Sequence, residues 1–255
     1  MDSPRPAVVR GSKVDLVPTG IDGLDAMLYG GIPKYDQVII SGGPGAGKTL
    51  MAFEFLYRNA KAGETGVFFT LEEDAKSIIK NAKSAFPYLD DIDALVESGK
   101  IIVSGRDITD DMIKMDDGSE FQFGHLVSEL EDVITAEKAT RVVVDSVSTL
   151  ELIVRDQPFY RKSMWALVVN LRRLGVTSLL TSEITSLNRK SLSFKPEHFI
   201  FDGIVFLYQG GDEATRRVQT MEVIKMRGFR HSFITAPYDI TPSGFKVFSS
   251  ESVTT

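Results

Sequence analysis

The segment Gly42–Thr49 reads GGPGAGKT and lies between an apolar run and a stretch with helical periodicity. The apolar run, residues 37–41, predicts a strand, and the helix is expected to begin at Lys48. Glycine lets the backbone curl tightly and come close to a ligand. When a strand leads through a glycine-rich turn into a helix, unpaired N–H groups and the positive end of the helix dipole point at a common place, which suits an anion. The segment therefore predicts a phosphate-binding loop.

The loop residues have distinct expected roles toward a nucleoside triphosphate. Lys48 is expected to reach the β- and γ-phosphates as a point charge, and the Thr49 hydroxyl to ligate Mg²⁺. The remaining nucleotide-binding positions of the loop are Gly43, Pro44, Gly45, Ala46, Gly47 and Leu50. The loop thus predicts binding of Mg²⁺ and a triphosphate such as ATP, and the hydrolysis typical of such sites.

Composition narrows the class of protein. The chain has 255 residues and a formal net charge of −6, which argues against a protein that coats nucleic acid through bulk positive charge. Cysteine is absent, so disulfides, thiolate metal sites and a cysteine nucleophile are excluded. No apolar run is long enough to span a bilayer, and the start MDSPRPAVVR lacks the apolar stretch of a signal peptide. We expect a cytoplasmic protein without a membrane partner.

Strands and helices alternate before Gly203, and each predicted strand is nearly all apolar. This pattern predicts an α/β fold with a mostly parallel central sheet flanked by helices. After Gly203 several strands follow one another, which predicts antiparallel strands that extend one edge of the sheet. These last strands are predicted at residues 204–208, 218–226, 232–234 and 245–248.

The chain is expected to form one domain over residues 16–249, with a mobile lead-in over 1–15 and a tail over 250–255. Thr19 and Asp22 have the spacing of a capping box, which predicts a short helix ahead of the loop-bearing strand. The acidic stretch 106–120 predicts an excursion from the core.

Carboxylates follow two further predicted strands. Asp145 ends the run RVVVD, where a carboxylate at the carboxyl end of a neighbouring strand helps to hold Mg²⁺. Glu72 and Glu73 follow the strand at 66–70, on the edge where open α/β sheets place their ligands. One of them is a candidate for orienting and deprotonating the attacking water. The alternative is structural, because acidic residues also favour a helix N-terminus.

Five motifs then occur in order along the chain. They are TGIDGLDAMLYGGIP (Thr19–Pro33), GGPGAGKT (Gly42–Thr49), FFTLEE (Phe68–Glu73), RVVVDS (Arg141–Ser146) and KMRG (Lys225–Gly228). Together they resemble the KaiC-type ATPases of the RecA/RadA superfamily over residues 14–249, and especially the single-domain KaiC-like proteins of archaea. The resemblance implies a RecA-type fold, bound ATP and Mg²⁺, and a homo-oligomeric ring, expected to be a hexamer, with active sites between subunits.

The resemblance also implies roles for residues outside the loop. Glu72 and Glu73 match a pair of catalytic glutamates, and Glu72 is the preferred water-activating residue. Residues Thr181–Glu183 match a strand end that senses the γ-phosphate, which makes Glu183 a nucleotide-site residue.

Three cationic or titratable residues near the C-terminus are implied to act across a subunit interface. Lys225 and Arg227 match a Lys-x-Arg pair that reaches the neighbour's γ-phosphate, and His231 matches a nucleotide-contacting histidine there. Residues two apart on a strand project from the same face, so the pair can present two cations to one anion. Phe229 and Pro242 depart from the family pattern of polar residues at these positions, so ribose and base contacts are expected to differ.

Two stretches that mix cations and aromatics leave a second hypothesis open. Residues 151–162 and 186–196 correspond to loops that hold single-stranded DNA in recombinases of the superfamily, where cations track phosphates and aromatics stack on bases. A DNA-binding recombinase-like or mediator protein is therefore the main alternative, disfavoured by the acidic composition. A Ser/Thr autokinase ranks lower because KMRG is associated with hydrolysis. The preferred hypothesis is a regulatory or signalling ATPase read by an unidentified protein partner.

Overall fold

The computed structural model describes residues 14–105, 108, 123–154, 156–184, 194–210 and 218–252. Nearly all of the expected lead-in over 1–15 and of the acidic excursion over 106–120 lies outside these ranges. Within the ranges, no helix is long and apolar enough to cross a membrane.

The first part of the chain alternates strands and helices as its apolar periodicity predicts. Its elements are β1 Leu16–Val17, α1 Leu24–Met27, β2 Ile32–Pro33, β3 Gln37–Gly42, α2 Lys48–Lys61, β4 Gly66–Thr70, α3 Ala75–Ala85, α4 Ile92–Glu97 and β5 Ile101–Gly105. The second part adds α5 Phe123–Glu137, β6 Arg141–Asp145, α6 Val147–Ile153, α7 Gln157–Arg173, β7 Thr177–Glu183, a 3₁₀ turn at Pro196–Phe199, β8 Gly203–Gly210, β9 Val218–Met226, β10 Ala236–Thr241 and β11 Gly244–Val247.

The main sheet has the strand order β11-β10-β9-β8-β3-β7-β6-β4-β5. From β8 to β5 the neighbouring strands are parallel, whereas β9, β10 and β11 are antiparallel to their neighbours. The predicted fold class is therefore confirmed: a mostly parallel sheet flanked by helices, extended at one edge by C-terminal antiparallel strands. The loop-bearing strand β3 lies between β7 and β8, in the interior of the sheet.

Side chains of the central strands alternate between two hydrophobic cores, because successive residues of a strand point to opposite faces. Val143 of β6 packs with α2 and α3 in one core, while its neighbours Val142 and Val144 pack with α5 and α7 in the other. This two-sided burial explains why the strands read as continuous apolar runs rather than as alternating ones.

The predicted capping box at Thr19 and Asp22 is wrong. The backbone N–H and the hydroxyl of Thr19 both donate to Asp25 Oδ1, each at 2.7 Å. The helix α1 starts after Gly23, whose φ of 81° lies in the left-handed region, and no side chain of the described residues caps it. Asp25, inside the first turn, is therefore the carboxylate that holds the chain entering this helix.

Two other expectations fail because short segments carry weak periodicity. Residues 232–234 are not a strand, since the Ser232 N–H donates to the Met27 carbonyl at the end of α1 and the strand β10 begins only at Ala236. The stretch 151–162, expected as a loop, is largely helical, since α6 runs to Ile153 and α7 starts at Gln157.

A buried carboxylate joins α2 to the C-terminal hairpin of β10 and β11. Glu54 Oε2 accepts the Phe245 N–H at 2.8 Å, and Oε1 accepts from Arg58 Nη2 at 3.0 Å. Burial raises the pKa of Glu54, and the Phe245 N–H and Arg58 oppose that rise. Gly244 has a φ of 113°, and a Cβ there would lie 2.3 Å from Glu54 Oε1. Only glycine therefore lets the carboxylate reach the hairpin.

Replacing this carboxylate is expected to destabilise the fold. Glu54→Ala leaves a buried N–H and an arginine without their acceptor, which should lower the free energy of unfolding by about 2–4 kcal/mol in urea titrations. Lys83→Ala is the control, because Lys83 forms an exposed ion pair with Asp93 whose loss costs at most about 1 kcal/mol. Similar losses in the two variants would refute the anchoring role of Glu54.

Candidate functional site

The glycine-rich loop connects the carboxyl end of β3 to the first residue of α2, Lys48. Lys48 Nζ donates to the carbonyls of Gly42 and Gly43 at 3.0 and 3.2 Å, so the ammonium lies over the loop. Gly47 precedes the helix with a φ of 88°, and among the described residues no side chain caps this helix start. The first N–H groups of α2 are thus available to an anion, as the sequence predicts.

The C-terminal hairpin fixes the shape of the loop. The Tyr238 hydroxyl donates to the Ala46 carbonyl at 2.7 Å. A Cβ at Gly47 would lie 2.6 Å from Ile240 Cδ1 and 2.8 Å from Phe245 Cζ. The last glycine of the loop is therefore required both by its backbone angle and by the apolar side chains that press against it.

Asp145 ends β6 beside the loop and is almost fully buried. Its Oδ2 accepts from Thr49 Oγ1 at 2.9 Å, and its Oδ1 accepts from the Thr181 hydroxyl at the end of β7. Burial raises the pKa of the carboxyl to about 6; the two hydroxyls oppose the rise, and the nearby Glu72 adds to it. The fold thus holds a desolvated carboxylate next to the Thr49 hydroxyl.

The two glutamates after β4 point in different directions. Glu72 Oε1 accepts from Thr149 Oγ1 at 2.8 Å and from the Ser146 hydroxyl, so it is directed toward the residues that follow Asp145. Glu73 instead accepts from Asn81 Nδ2 at 2.9 Å, which directs it toward α3. The structure therefore brings Glu72, and not Glu73, to the strand end that carries Asp145.

Three carboxylates act electrostatically on the Lys48 ammonium. Burial lowers the pKa of Lys48, and the negative charges of Glu183, Asp145 and Glu72 oppose this effect. Glu183 lies opposite Gly42 in the parallel pairing of β7 with β3, and its N–H donates to Ser148 Oγ at 2.7 Å. The loop lysine, Thr49 and three acidic side chains thus form one cluster at the carboxyl edge of the sheet.

Lys225 and Arg227 lie away from this cluster. Lys225 is opposite Ile204 on β8, which is opposite Ile39 on β3. Ile39 precedes Gly42 by three residues, so Lys225 is set back roughly 10 Å along the strands and roughly 10 Å across them from the loop. The sheet does not bring the pair to the phosphate loop of its own chain.

His231 belongs to the same region of the C-terminal segment. Its Nδ1 lies 2.9 Å from the Ser232 carbonyl, and its ring packs against Phe233 at 4.9 Å between centroids. Ser232 is in turn bonded to the end of α1. Among the described residues, the polar and ring partners of His231, like those of Lys225 and Arg227, lie outside the loop.

A pocket of about 720 Å³ opens beside the loop, and sequence reasoning did not identify it. The loop residues Pro44 and Gly45 form one wall, and β10 with Gln209 and Phe248 forms much of the rest. Sequence reasoning also missed Ser146 and Thr149, the hydroxyls that hold Glu72. Their place in the sequence could have indicated them, because both lie within four residues after Asp145, the last residue of β6.

The cations and aromatics predicted as a DNA-binding surface have different surroundings in the structure. Lys195 pairs with Glu151 at 2.5 Å. Arg161, Lys162 and Trp165 line a second pocket of about 540 Å³ on α7. Arg155 and residues 186–193 lie outside the described ranges. The first stretch is largely helical rather than a loop, so only the second loop and DNA binding itself stay predictions.

Comparison with known proteins gives a consistent assignment. The chain matches the family described as the KaiC ATPase over residues 17–252. It is 32% identical to the circadian clock oscillator protein KaiC of Thermostichus vulcanus over 238 residues, covering 93% of this chain and 45% of that protein. It is likewise 32% identical to KaiC of Synechococcus elongatus, covering 90% of this chain and 43% of the relative. The chain thus spans a little under half the length of these curated relatives.

A solved structure extends the match to three dimensions. The crystal structure of a KaiC-like protein from the hyperthermophilic archaeon Pyrococcus horikoshii aligns with a TM-score of 0.76 and 30% identity, covering 92% of this chain and 100% of that one. The match confirms the expected likeness to an archaeal KaiC-like protein as well as the RecA-type fold. The chain belongs to the KaiC ATPase family.

Proposed function

We propose that this protein binds Mg-ATP at Gly42–Thr49 and hydrolyses it by in-line attack of water on the γ-phosphate. The observation that carries the proposal is the convergence of Lys48, Thr49, Asp145 and Glu72 at one edge of the sheet. Phosphoryl transfer needs positioned charge more than covalent chemistry from the protein. A partly buried ammonium over the loop, an oxygen pair suited to a metal ion and a directed carboxylate match those needs.

The residues fit a magnesium ion. Mg²⁺ prefers oxygen ligands and is usually bound through one or two carboxylates together with substrate phosphates. Thr49 Oγ1 and Asp145 Oδ2 lie 2.9 Å apart, and burial already disfavours the charge of Asp145. A cation at these oxygens would compensate that buried charge and neutralise phosphate charge.

The pocket beside the loop fits the nucleoside part of the ligand. Its volume of about 720 Å³ lies within the usual range of ligand pockets, roughly 300–1,000 Å³. Because Pro44 and Gly45 form both its wall and part of the loop, a base in this pocket would be continuous with phosphates at the start of α2.

We propose Glu72 as the residue that orients the attacking water and accepts its proton. Hydrogen bonds from Thr149 and Ser146 hold its carboxylate beside the end of β6, and a base must lie within reach of the proton that it takes. Glu73 is directed toward Asn81 on α3 and is assigned a supporting role.

We propose that Lys225, Arg227 and His231 complete the site of a neighbouring subunit in a homo-oligomeric ring. Their separation from their own phosphate loop supports an action in trans. Large exposed aromatics flank them: Phe199 is 61% exposed and Phe233 is 84% exposed. Such side chains are enriched in subunit interfaces. A hexamer is the proposed ring, in which hydrolysis switches subunit contacts that a protein partner reads.

The pKa of Asp145 predicts a trade between stability and metal binding. Its folded pKa of about 6 lies above the ordinary value of 3.8, so stability falls as pH rises between these values. Asp145→Asn should therefore stabilise the nucleotide-free protein at pH 8 by about 1–3 kcal/mol, with no gain below pH 4. The same variant should lose Mg²⁺-dependent ATP affinity, measured by calorimetry.

Asp36→Asn is the matched control for this prediction. Burial, followed by the charge of Asp202, raises the pKa of Asp36 to about 6, but Asp36 directly precedes β3 and so lies at the opposite end of that strand from the loop. It should show a similar dependence of stability on pH with unchanged Mg²⁺-dependent ATP binding. Unchanged metal dependence in Asp145→Asn would contradict the magnesium assignment.

The roles of the two glutamates separate in single variants. Glu72→Gln should retain ATP binding and lose turnover by about a hundredfold or more, because a general base typically contributes that much. Glu73→Gln should bind ATP and turn over near the wild-type rate. Binding by fluorescent nucleotide and turnover by phosphate release measure the two effects. A larger loss of turnover in Glu73→Gln would reverse the assignment.

Mixed rings test the proposed trans site. Lys48→Ala chains retain the cation pair, and Lys225→Ala chains retain the loop. An equal mixture should regain about a quarter of the wild-type turnover, the share of interfaces with both intact parts when subunits assemble at random. A control mixture of Lys225→Ala with the double variant Lys48→Ala, Lys225→Ala should stay inactive. The absence of rescue at any ratio would count against action in trans.

A further inference from the structure

The 3₁₀ turn Pro196–Phe199 connects two parts of the proposed machinery. It precedes β8, which pairs with the loop-bearing strand β3 on one side and with β9, the strand that carries Lys225, on the other. One side chain of the turn contacts β3, and two of its carbonyls contact the cation pair.

The contact with β3 is made by His198, which is fully buried. Its Nδ1 accepts the Lys195 N–H at 3.1 Å, so the ring proton belongs on Nε2. Nε2 lies 3.1 Å from Ser41 Oγ, one residue before the loop, and is therefore assigned as the donor to that hydroxyl. Burial, with Lys195 and Lys225 nearby, lowers the pKa of His198 to about 4, which keeps the ring neutral.

Aromatic rings fix the imidazole in this position. Phe206 of β8 packs edge-on at 5.2 Å between centroids, and Phe194 packs at 6.1 Å. A neutral histidine with both nitrogens bonded and with aromatic neighbours has one defined orientation. Its backbone is therefore held at a set distance from β3.

The carbonyls at the end of the turn hold the cation pair. The His198 carbonyl accepts from Lys225 Nζ at 3.4 Å, and the Phe199 carbonyl accepts from Arg227 Nη2 at 3.0 Å. The last carbonyls of a helical turn lack partners within the turn and carry partial negative charge, which suits cations. Consecutive carbonyls thus set the positions of both cationic heads.

Asp202 anchors the other end of this segment to β3. It accepts the Gln37 N–H at 3.1 Å and a hydrogen bond from Arg172 at 2.8 Å, and its carbonyl accepts the Arg227 N–H at 2.7 Å. The segment is therefore attached near the carboxyl end of β3 through Ser41 and at the amino end of β3 through Gln37.

We propose that His198 is a positioning residue for the catalytic pair that this chain supplies to its neighbour. By fixing the turn to Ser41, it places the two carbonyls that orient Lys225 and Arg227. The strand β3 carries the subunit's own phosphate loop. Through His198 it thereby also sets the geometry of the cations that the subunit supplies to the neighbouring subunit. This inference rests on the proposed trans site.

The experiment uses the mixed rings, because each variant chain there has only one function. In the Lys48→Ala chain, which supplies the cations, adding His198→Phe should reduce rescue by about tenfold or more, since small displacements of positioned groups are costly. In the Lys225→Ala chain, which supplies only the loop, the same change should leave rescue unaltered.

Two milder variants guard against misfolding of His198→Phe. His198→Gln can still donate to Ser41, so in the cation-supplying chain it should preserve most of the rescue. Ser41→Ala removes the acceptor while leaving the histidine, and in the same chain it should reduce rescue. Ring assembly of each chain is measured by size-resolved mass.

The outcomes separate the two proposals. Equal losses whichever chain carries His198→Phe, or no loss in either, would overturn the positioning role and leave the trans site standing. A parental mixture of Lys48→Ala and Lys225→Ala without rescue would overturn the trans site and this inference together.

Discussion

The buried carboxylate of Asp145 is the constraint around which the site is arranged. The parallel pairing of β4, β6 and β7 places it at the carboxyl edge of the sheet, where Thr49 and Thr181 each donate a hydroxyl. Neutral hydroxyls solvate such a charge only partly, and its pKa remains raised. The fold therefore tolerates an unfavourable charge at the position proposed for Mg²⁺. Strain of this kind is characteristic of functional sites.

The C-terminal hairpin makes the phosphate loop depend on the far end of the chain. Glu54 ties the hairpin to α2, and the hairpin in turn packs on Gly47 and bonds Ala46 through Tyr238. The antiparallel strands that extend the sheet thus shape the loop at the centre of that sheet. The same hairpin also lines the pocket beside the loop, so the hairpin determines both the geometry of the loop and the shape of the pocket.

The sequence was sufficient to predict the loop, the strand before it and the helix after it, because residue spacing and glycine placement are local properties. It also predicted the carboxylates at strand ends, since parallel strands bring those ends together. The residue pattern alone could not separate Glu72 from Glu73, although the resemblance favoured Glu72. Their directions depend on tertiary contacts: Glu72 is bonded to Thr149 of the short helix α6, and Glu73 to Asn81 of α3. His198 and Asp202 carry no motif, and their contacts with β3 span 157 and 165 residues.

The contacts of the cation pair are compatible with the proposed action on another subunit. Lys225 is held by a carbonyl, and Arg227 by a carbonyl with Asp202 at 3.7 Å. Asp202 is already engaged by Arg172 and by the Gln37 N–H, so it neutralises Arg227 only partly. A carbonyl orients a cation without cancelling its charge, and a charged phosphate oxygen is the stronger acceptor. The pair is therefore positioned in its own chain and retains charge for the γ-phosphate of a neighbour in the proposed ring.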